Sequence, residues 1–430
     1  MAAAQQEMTL AIMLLDIAVV LLVGLLFGRA VRSLRQPAVI GEIIAGIALG
    51  PSVLGLLPGD LTQRLFPVDV RPLLSAVSQV GLVLFMFMVG WEFEKRLVRP
   101  NAGLAAGVSL SSVAFAFGLG VALATLLHPH HATVAGHHVP FLAFAVFMGT
   151  AMSVTAFPVL ARILTDTGLL DTRVGSLALA SAAIDDVLAW CLLAYVSALV
   201  SADGDYGELA RIGLLAAGYG ALMLLVVRPL LARLMWRWAS AERWSALLVV
   251  LCAGALGSAW LTTWIGIHAI FGAFLFGFVM PREPAHVLGR HLRQPLENVS
   301  LVLLPVFFVV TGLNVDLAAL TGGDCLALAL IIAVACAGKL LGAIVPARLF
   351  RLSWREAKDL GLLMNTRGLT ELIVLNAAVS LGVLDGRMFT MMVIMALVTT
   401  AMAGPLLSRR KELATVPPQR PVTDFIGPHT

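Results

Sequence analysis

Charged residues are scarce in this chain of 430 residues. Asp, Glu, Lys and Arg together make up only 13% of it, 60% of the residues are hydrophobic, and the mean hydropathy is +0.95. A typical soluble domain carries about 25% charged residues. The composition therefore excludes an ordinary soluble domain and indicates a chain that is largely surrounded by lipid.

Basic clusters and cysteine motifs are also missing. The formal net charge is only +4, with no basic stripe or aromatic platform, so we expect no nucleic-acid partner. The four cysteines lack CxxC spacing, and we expect reduced packing residues, with no cofactor and no resident metal ion. The first apolar segment follows no basic residue and precedes no small-residue cleavage site, so we do not interpret it as a signal peptide.

What the chain has in abundance is apolar segments able to cross, or nearly cross, a hydrocarbon core of about 30 Å. Thirteen of them predict an all-α membrane protein, with a membrane domain over residues 1–407 and a short cytoplasmic tail over 408–430. The predicted spans are residues 8–28, 37–56, 72–93, 102–127, 139–165, 174–200, 208–232, 244–264, 266–281, 297–316, 325–347, 359–382 and 388–407.

The loops between these spans differ in charge. Most odd-numbered loops are basic, as in the first, which holds Arg29, Arg32 and Arg35. The fifth loop is an exception, because it contains Asp166 and Asp171. Cytoplasmic loops carry an excess of Lys and Arg, so we expect the N-terminus outside and the C-terminus in the cytoplasm.

The chain also resembles itself. Phe85–Glu94 (FMFMVGWEFE) is similar to Phe307–Asp316 (FFVVTGLNVD), and glycines five residues apart recur in Ala38–Pro51 and Ala269–Pro281. Two matches in the same order predict an inverted-topology repeat of six spans on each side of a linker span. The predicted divisions are about 8–200 for the first repeat, 208–232 for the linker helix and 244–407 for the second repeat.

Spans five and twelve, which correspond in this repeat, are both expected to be interrupted. Met148–Pro158 contains a proline and several hydroxyl residues, and Met364–Glu371 is a polar patch in an apolar segment. Proline removes a backbone donor, and nearby hydroxyl groups can satisfy the freed carbonyls. Broken helices at matching places in two repeats are typical of a substrate site near the membrane midplane, although each break alone is also compatible with a packing kink.

Three ionisable residues stand deep inside apolar spans. Asp185 and Asp186 lie within Gly175–Val196, and Lys339 lies within Ile331–Gly342. A carboxylate at membrane depth costs about 2.5 kcal/mol or more. Burial disfavours its charged form and a neighbouring ammonium favours it, so such a group can bind a proton reversibly. These residues predict an ion or proton site, or, for Asp185 with Lys339, a structural ion pair.

Three motifs resemble the monovalent cation:proton antiporter superfamily, in the branch of bacterial Na⁺/H⁺ and K⁺/H⁺ antiporters and plant cation/H⁺ exchangers. They are Gln36–Pro51 (QPAVIGEIIAGIALGP), Ser153–Leu164 (SVTAFPVLARIL) and Met364–Asn376 (MNTRGLTELIVLN). The resemblance implies a transporter rather than an enzyme. It also implies a homodimer in a lipid bilayer, expected to be a bacterial inner membrane.

The resemblance also implies roles for individual residues. Asp186 matches the family's central carboxylate, which binds cation and proton. Asp185 matches the position before that carboxylate, and Lys339 matches the basic residue that faces the two acidic positions. The expected ion- and proton-binding residues are Asp186, Asp185, Lys339, Thr155 and Ser153. The expected pathway residues are Asn365, Thr366, Arg367, Glu371 and Glu42, although Arg367 and Glu371 have the spacing of an internal helix pair.

Several functions stay open at this point. We expect secondary active exchange of Na⁺ or K⁺ for protons, and we expect it to be electrogenic. Electroneutral K⁺/H⁺ exchange is the main alternative. An organic-ion transporter or a channel on the same fold is less favoured. An intramembrane aspartyl protease is disfavoured because adjacent residues on a helix diverge by about 100°.

Overall fold

Helices make up nearly all of the described residues in this computed structural model of the protein. The structure describes residues 2–34, 36–92, 102–134, 136–167, 169, 172–202, 205–241, 243–281 and 289–411. The predicted tail over 408–430 lies outside these residues beyond Lys411. The strands in the described residues, β1 (Thr133–Val134) and β2 (His137–His138), form one small antiparallel hairpin.

The helices follow the predicted spans closely. The first half contains α1 (Ala2–Ser33), α2 (Ala38–Leu49), α3 (Leu61–Leu65), α4 (Arg71–Glu92), α5 (Ala102–His131), α6 (Phe141–Ser153), α7 (Phe157–Thr167) and α8 (Arg173–Ser201). The second half contains α9 (Tyr206–Leu222), α10 (Arg228–Ser240), α11 (Trp244–Ile265), α12 (Ala269–Phe278), α13 (Gln294–Leu313), α14 (Gly322–Leu349), α15 (Trp354–Met364), α16 (Leu369–Ser380) and α17 (Gly386–Lys411).

Ten helical segments of the described chain are long and apolar enough to cross a membrane, and three shorter apolar helices accompany them. The all-α membrane fold is therefore confirmed, while the number of thirteen crossings stays a prediction. Several boundaries differ from expectation, and α1 extends over Ala2–Ser33 instead of residues 8–28. Helix α2 ends at Leu49 instead of near residue 56, because Gly50 and Pro51 follow Leu49 and proline cannot continue a helix. The linker helix extends to Ser240, and a π-helical turn at Met223–Val227 joins α9 to α10.

The helices pack in two groups. The first, which we call the flanking group, contains α1, α2, α4, α11, α12 and α13. The second, which we call the site group, contains α5, α6, α7, α8, α14, α15, α16 and α17. Helices α9 and α10 connect them along the chain. All three mid-span ionisable residues, Asp185, Asp186 and Lys339, belong to the site group.

Close helix crossings in the flanking group repeat between the two halves of the chain. A Cβ on Gly46 of α2 would lie 2.2 Å from a carbonyl oxygen of α13, where it faces Gly312. A Cβ on Gly277 of α12 would lie 2.0 Å from a carbonyl oxygen of α4, and Gly90 lies at the same crossing. In the predicted repeat Gly46 matches Gly277 and Gly312 matches Gly90. The two crossings are therefore equivalent, which supports the inverted repeat as a proposal.

A substitution at one of these crossings should destabilise the protein. Gly277→Ala places a methyl group against backbone that cannot move aside, and overpacking of this kind costs about 1–3 kcal/mol. We expect a lower thermal unfolding midpoint in detergent for Gly277→Ala. Gly257→Ala on α11 is the matched control, because no atom lies within 4 Å of its added Cβ. Equal midpoints for both variants would contradict the close-packed crossing.

Candidate functional site

Two interrupted helices cross at the centre of the site group. The chain leaves helical geometry between α6 and α7 and again between α15 and α16, as predicted for spans five and twelve. The backbone N–H of Ala156 in the first break donates to the carbonyl oxygen of Thr366 in the second at 3.1 Å. The two breaks thus touch each other, and backbone groups that a continuous helix would satisfy are exposed to this centre.

Asp185 is fully hydrogen-bonded within the site. The Ser109 hydroxyl of α5 donates to one carboxylate oxygen at 2.5 Å. Thr155 of the first break and the Lys339 Nζ of α14 lie 2.7 and 2.9 Å from the other oxygen. Asp185 and Lys339 are both completely buried. This is a buried ion pair, and the surrounding hydroxyl groups offset the cost of removing both charges from water.

Lys339 reaches Asp185 because α14 approaches α5 very closely. A Cβ on Gly338 or Gly342 would lie 2.9 Å from Ala116 or 2.8 Å from Ser112, respectively. Glycine at these two positions, four residues apart, therefore allows the close approach of the two helices.

Asp186 has a different environment. It is 7% exposed, its carboxylate oxygen lies 3.4 Å from the Thr370 hydroxyl, and it accepts a hydrogen bond from the Phe157 backbone N–H. Phe157 and Thr370 belong to the first turns of α7 and α16, so two helix N-termini face this carboxylate. The positive ends of helix dipoles favour negative charge there. Among the described residues, no Lys or Arg lies within ion-pair distance of Asp186.

The Arg367 side chain lies at the C-terminal end of α6, one of the broken helices. Its guanidinium donates to the carbonyl oxygens of Ala151 and Met152, at the C-terminal end of α6, both at 2.6 Å. It also donates to Glu371 at 2.7 Å, and both charged residues are completely buried. The positive charge thus lies at the negative end of a helix. The ion pair expected from the sequence spacing is present, but it is not internal to a helix, because Arg367 lies in the break before α16. Arg367 additionally satisfies freed carbonyl groups.

The other predicted site residues are not partners of the aspartate pair. The Ser153 hydroxyl donates to its own helix, at the Thr150 carbonyl oxygen, with a distance of 2.8 Å. Glu42 lies against Gly24 and Gly28 of α1, within the flanking group. The geometry therefore gives no support to an ion-binding contact for Ser153. For Glu42 it favours a packing contact with α1 over a place in the ion pathway.

Asn365 and Thr366 lie in the second break. The Asn365 amide nitrogen lies 3.6 Å from the Cys336 sulfur, while its side-chain oxygen is buried without a hydrogen-bond partner. The Thr366 hydroxyl donates to the Leu363 carbonyl oxygen at 2.8 Å. Asn365 therefore offers a free oxygen inside the site, whereas the Thr366 hydroxyl is committed to ending α15.

Two contacts of the pair were not expected from the sequence. Ser109 bonds Asp185 from α5, and Thr370 approaches Asp186 from α16. Thr370 lies within the third motif, Met364–Asn376, so the sequence already contained an indication that Thr370 belongs to the site. Ser109 carried none, because serine is common in membrane helices and only the packing of α5 against α8 selects it.

A further, partly buried contact joins the end of α5 to Asp385, which lies outside the membrane-spanning segments. His131, the last residue of α5, lies 2.6 Å from Asp385, which precedes α17. Burial would raise the pKa of Asp385, but hydrogen bonds from His131 and the Met388 backbone N–H, with nearby positive charge, lower it overall. The ionised form therefore stabilises the fold above the ordinary pKa of 3.8, and this contribution is lost as the pH falls below that value.

The fold and site together define an all-α integral membrane protein whose buried carboxylates lie at the crossing of two broken helices. In the described residues no cluster of three or more His, Cys, Asp or Glu side chains could hold a metal ion. The chain belongs to the sodium/hydrogen exchanger family, whose transmembrane model matches residues 17–409.

Named relatives are consistent with this membership. The chain is 42% identical over 412 residues to a Na(+)/H(+) antiporter, NhaS4, from Synechocystis sp., covering 93% of this chain and 97% of that protein. It is 38% identical to Cation/H(+) antiporter 20 of Arabidopsis thaliana, with 92% and 48% covered. It is 35% identical to K(+)/H(+) antiporter 1 of Saccharomyces cerevisiae, with 92% and 46% covered. The chain thus spans about half the length of the plant and yeast proteins.

A solved structure shares the fold. The sodium proton antiporter MjNhaP1 from Methanocaldococcus jannaschii, determined at pH 8, superimposes with a TM-score of 0.65. The match covers 94% of this chain and 98% of that chain at 13% sequence identity. At this identity the likeness concerns the fold alone.

Proposed function

We propose that this protein is a secondary transporter, and not an enzyme, that exchanges Na⁺ or K⁺ for protons at Asp186. The observation that carries the proposal is the contrast between two adjacent carboxylates. Asp185 is paired with Lys339 and two hydroxyl groups, whereas among the described residues Asp186 has two neutral hydrogen-bond donors and no ion-pair partner. A proton and a cation cannot occupy one carboxylate together, and this exclusion couples their movements.

The charge of the site supports the same role for Asp186. When every group is ionised, the cluster holds two positive and three negative side chains, which leaves one uncompensated negative charge. Its members are Lys339, Arg367, Asp185, Asp186 and Glu371. An uncompensated charge in a buried site is costly. While Lys339 keeps its proton, one proton or one monovalent cation on Asp186 neutralises the cluster, so either ligand alone stabilises it.

Oxygen ligands suit a hard monovalent cation, and the site provides several. Besides Asp186, the Thr370 hydroxyl and the free Asn365 side-chain oxygen lie at the breaks. Thr155 is engaged with Asp185, so its contribution to a cation requires that bond to rearrange. We therefore propose Asp186 as the principal ligand, with Asp185, Lys339 and Thr155 as a coupled group beside it.

This coupled group leads us to propose electrogenic exchange. If cation binding draws Asp185 away from Lys339, the buried ammonium loses its counter-charge and releases a proton. Two protons then move per monovalent cation, and the membrane potential contributes about 2.3 kcal/mol per charge per 100 mV. If Lys339 keeps its proton throughout, exchange is electroneutral and the ion pair is structural.

Transport in proteoliposomes tests both levels of the proposal. Proton movement is followed on addition of Na⁺ or K⁺, with and without an imposed membrane potential. Cation-dependent proton flux supports exchange, and flux of cation without protons would instead indicate a channel. A rate that does not respond to the potential would overturn the electrogenic proposal while leaving exchange intact.

Asp185→Asn is the variant that separates the two stoichiometries. We expect it to retain exchange but to lose much of its dependence on the membrane potential. In this variant no carboxylate at position 185 favours the charged form of Lys339, so cation binding no longer changes whether Lys339 holds a proton. The measurement is the ratio of rates with and without the potential. Asp16→Asn, which changes a buried carboxylate in α1, is the control and should keep the wild-type ratio.

The arrangement in the membrane is also a proposal. Basic odd-numbered loops support an outer N-terminus and a cytoplasmic C-terminus in a bacterial inner membrane, with a membrane domain over 1–407 built from two repeats. Labelling of a cysteine introduced near Arg409 by an impermeant reagent added outside would refute this orientation. We further propose a homodimer, supported by the family resemblance, which cross-linking in membranes would test.

A further inference from the structure

Trp190 of α8 packs against the flanking group, where its ring centroid lies 6.2 and 6.5 Å from those of Phe271 and Phe274 of α12. Asp186 lies one turn before Trp190, and residues four apart on a helix lie above one another, so the two residues share one face of α8. Trp190 is 5% exposed. An aromatic cluster therefore fills the boundary between the two groups on the C-terminal side of Asp186.

The boundary toward the N-terminal half of α2 is less tightly filled. A small cavity of about 10 Å³ lies there between α2 and the site group. Its wall includes Ile40, Ile43, Val159, Gly368 and Leu372. These residues are close in sequence to the two hydrogen-bond donors of Asp186, which are Phe157 and Thr370. Val159 follows Phe157 by two residues, and Gly368 and Leu372 lie two residues on either side of Thr370. A space of this size is about that of one water molecule.

Hydrogen bonds also join the two groups on the tryptophan side. The Asn376 side-chain amide of α16 donates to the Thr311 hydroxyl of α13 at 3.0 Å. Nearer the end of α8, Ser197 and Ser201 donate to the Gly266 carbonyl oxygen, which precedes α12, at 3.3 and 3.2 Å. Each of these bonds must break if the site group moves relative to the flanking group.

The indole nitrogen of Trp190 is buried without a hydrogen-bond partner. A tryptophan that anchors a permanent contact usually has its N–H bonded when buried. Apolar contacts hold the ring, and the indole N–H has no hydrogen-bond partner among the described residues, so no such bond has to break when the ring leaves α12. The ring can therefore seal the boundary in one state and withdraw from it in another.

We propose that Trp190, packed on Phe271 and Phe274, is the barrier that closes the path from Asp186 toward the C-terminal end of α8. The Asn376–Thr311 hydrogen bond keeps this side closed. In the state that the structure shows, this aromatic cluster separates Asp186 from the C-terminal end of α8. This inference rests on the proposed exchange at Asp186, since it assigns the gate of that same path.

The first test measures sealing. Proteoliposomes are given a pH step without transported cation, and the passive proton leak is followed. Trp190→Ala should raise the leak several-fold, whereas Trp190→Phe, which keeps a ring, should stay close to wild type. Trp260→Ala on α11 is the matched control, because that side chain is 66% exposed and cannot contribute to a buried barrier.

The second test measures the closed state and requires no transport. Leu193→Cys, on the same face of α8 beyond Trp190 and fully buried, is introduced after the four natural cysteines are replaced by serine. An impermeant thiol reagent is added on the side of the C-terminal end of α8. Thr311→Val removes the acceptor of the Asn376 bond with little change in shape, and we expect about fivefold faster labelling, which corresponds to about 1 kcal/mol.

Thr399→Val is the control for this labelling, because the Thr399 hydroxyl bonds only carbonyl oxygens of its own helix. Equal labelling in both backgrounds, or a leak in Trp190→Phe equal to that in Trp190→Ala, would overturn the barrier. If wild type shows no exchange but labelling responds as expected, the exchange proposal fails and the barrier stands. Should Trp190→Ala not fold, the near-isosteric Thr311→Val still decides the question.

Discussion

Asp186→Asn is expected to abolish cation-dependent proton movement while the protein still folds and inserts into the membrane. The asparagine side chain keeps the shape of the carboxyl group and its bonds to Phe157 and Thr370, but it neither binds a proton reversibly nor neutralises a cation. The loss of an unpaired buried charge should not lower the thermal unfolding midpoint. The measurement is proton flux in proteoliposomes on addition of Na⁺ or K⁺.

The control for this variant is Asp16→Asn, because Asp16 is also a fully buried carboxylate but lies on α1 in the flanking group. It should retain exchange at close to the wild-type rate. Undiminished exchange in Asp186→Asn would refute the site. Loss of exchange in both variants would indicate that any buried carboxylate is needed for assembly, and the assignment to Asp186 would then lose its support.

Arg367→Met should cause the largest loss of stability. It leaves the Glu371 charge unpaired and two carbonyl oxygens of α6 without donors, all in a site with no exposed surface. Removing one partner of a buried ion pair typically costs about 3–5 kcal/mol. We expect a markedly lower thermal unfolding midpoint in detergent, with weak insertion as the extreme result.

Two further variants show whether charge is the cause. Arg367→Met combined with Glu371→Leu should recover part of the stability, because no charge is then left unpaired. Arg387→Met is the control, since its guanidinium is 46% exposed and lies 3.9 Å from Asp324, a surface pair worth about 1 kcal/mol or less. If Arg387→Met lowers the midpoint as much as Arg367→Met, the buried network is not the reason.

The interrupted helices were predictable because local chemistry dictates them. Proline lacks a backbone donor, and Asn365, Thr366 and Gly368 form a polar, poorly helical segment, so both breaks could be placed to within a few residues. The pairing of Asp185 with Lys339 was also foreseeable, because a lone charge at membrane depth is so costly that it needs a partner. What the sequence could not supply is the hydroxyl group of Ser109, which bonds Asp185 from another helix.

The expected role of Ser153 shows the opposite case. Its hydroxyl was a reasonable ion ligand by position, yet it bonds the Thr150 carbonyl oxygen at the end of α6. A serine near a helix end can satisfy its own backbone or a neighbour, and the direction of the side chain decides between them. Thr370 provides the contact that Ser153 does not, and this depends on how α16 leaves the second break.

The sequence by itself determined that this protein is an all-α membrane chain with two broken helices, two buried acids and a buried base. Hydrophobic length, helix-breaking residues and the cost of buried charge are local properties, so they can be read one segment at a time. Only the tertiary structure decided that Lys339, Ser109 and Thr155 all bond Asp185 and leave Asp186 to the two helix N-termini. That division depends on contacts between helices distant in sequence, where glycines such as Gly338 and Gly342 set the distance of approach.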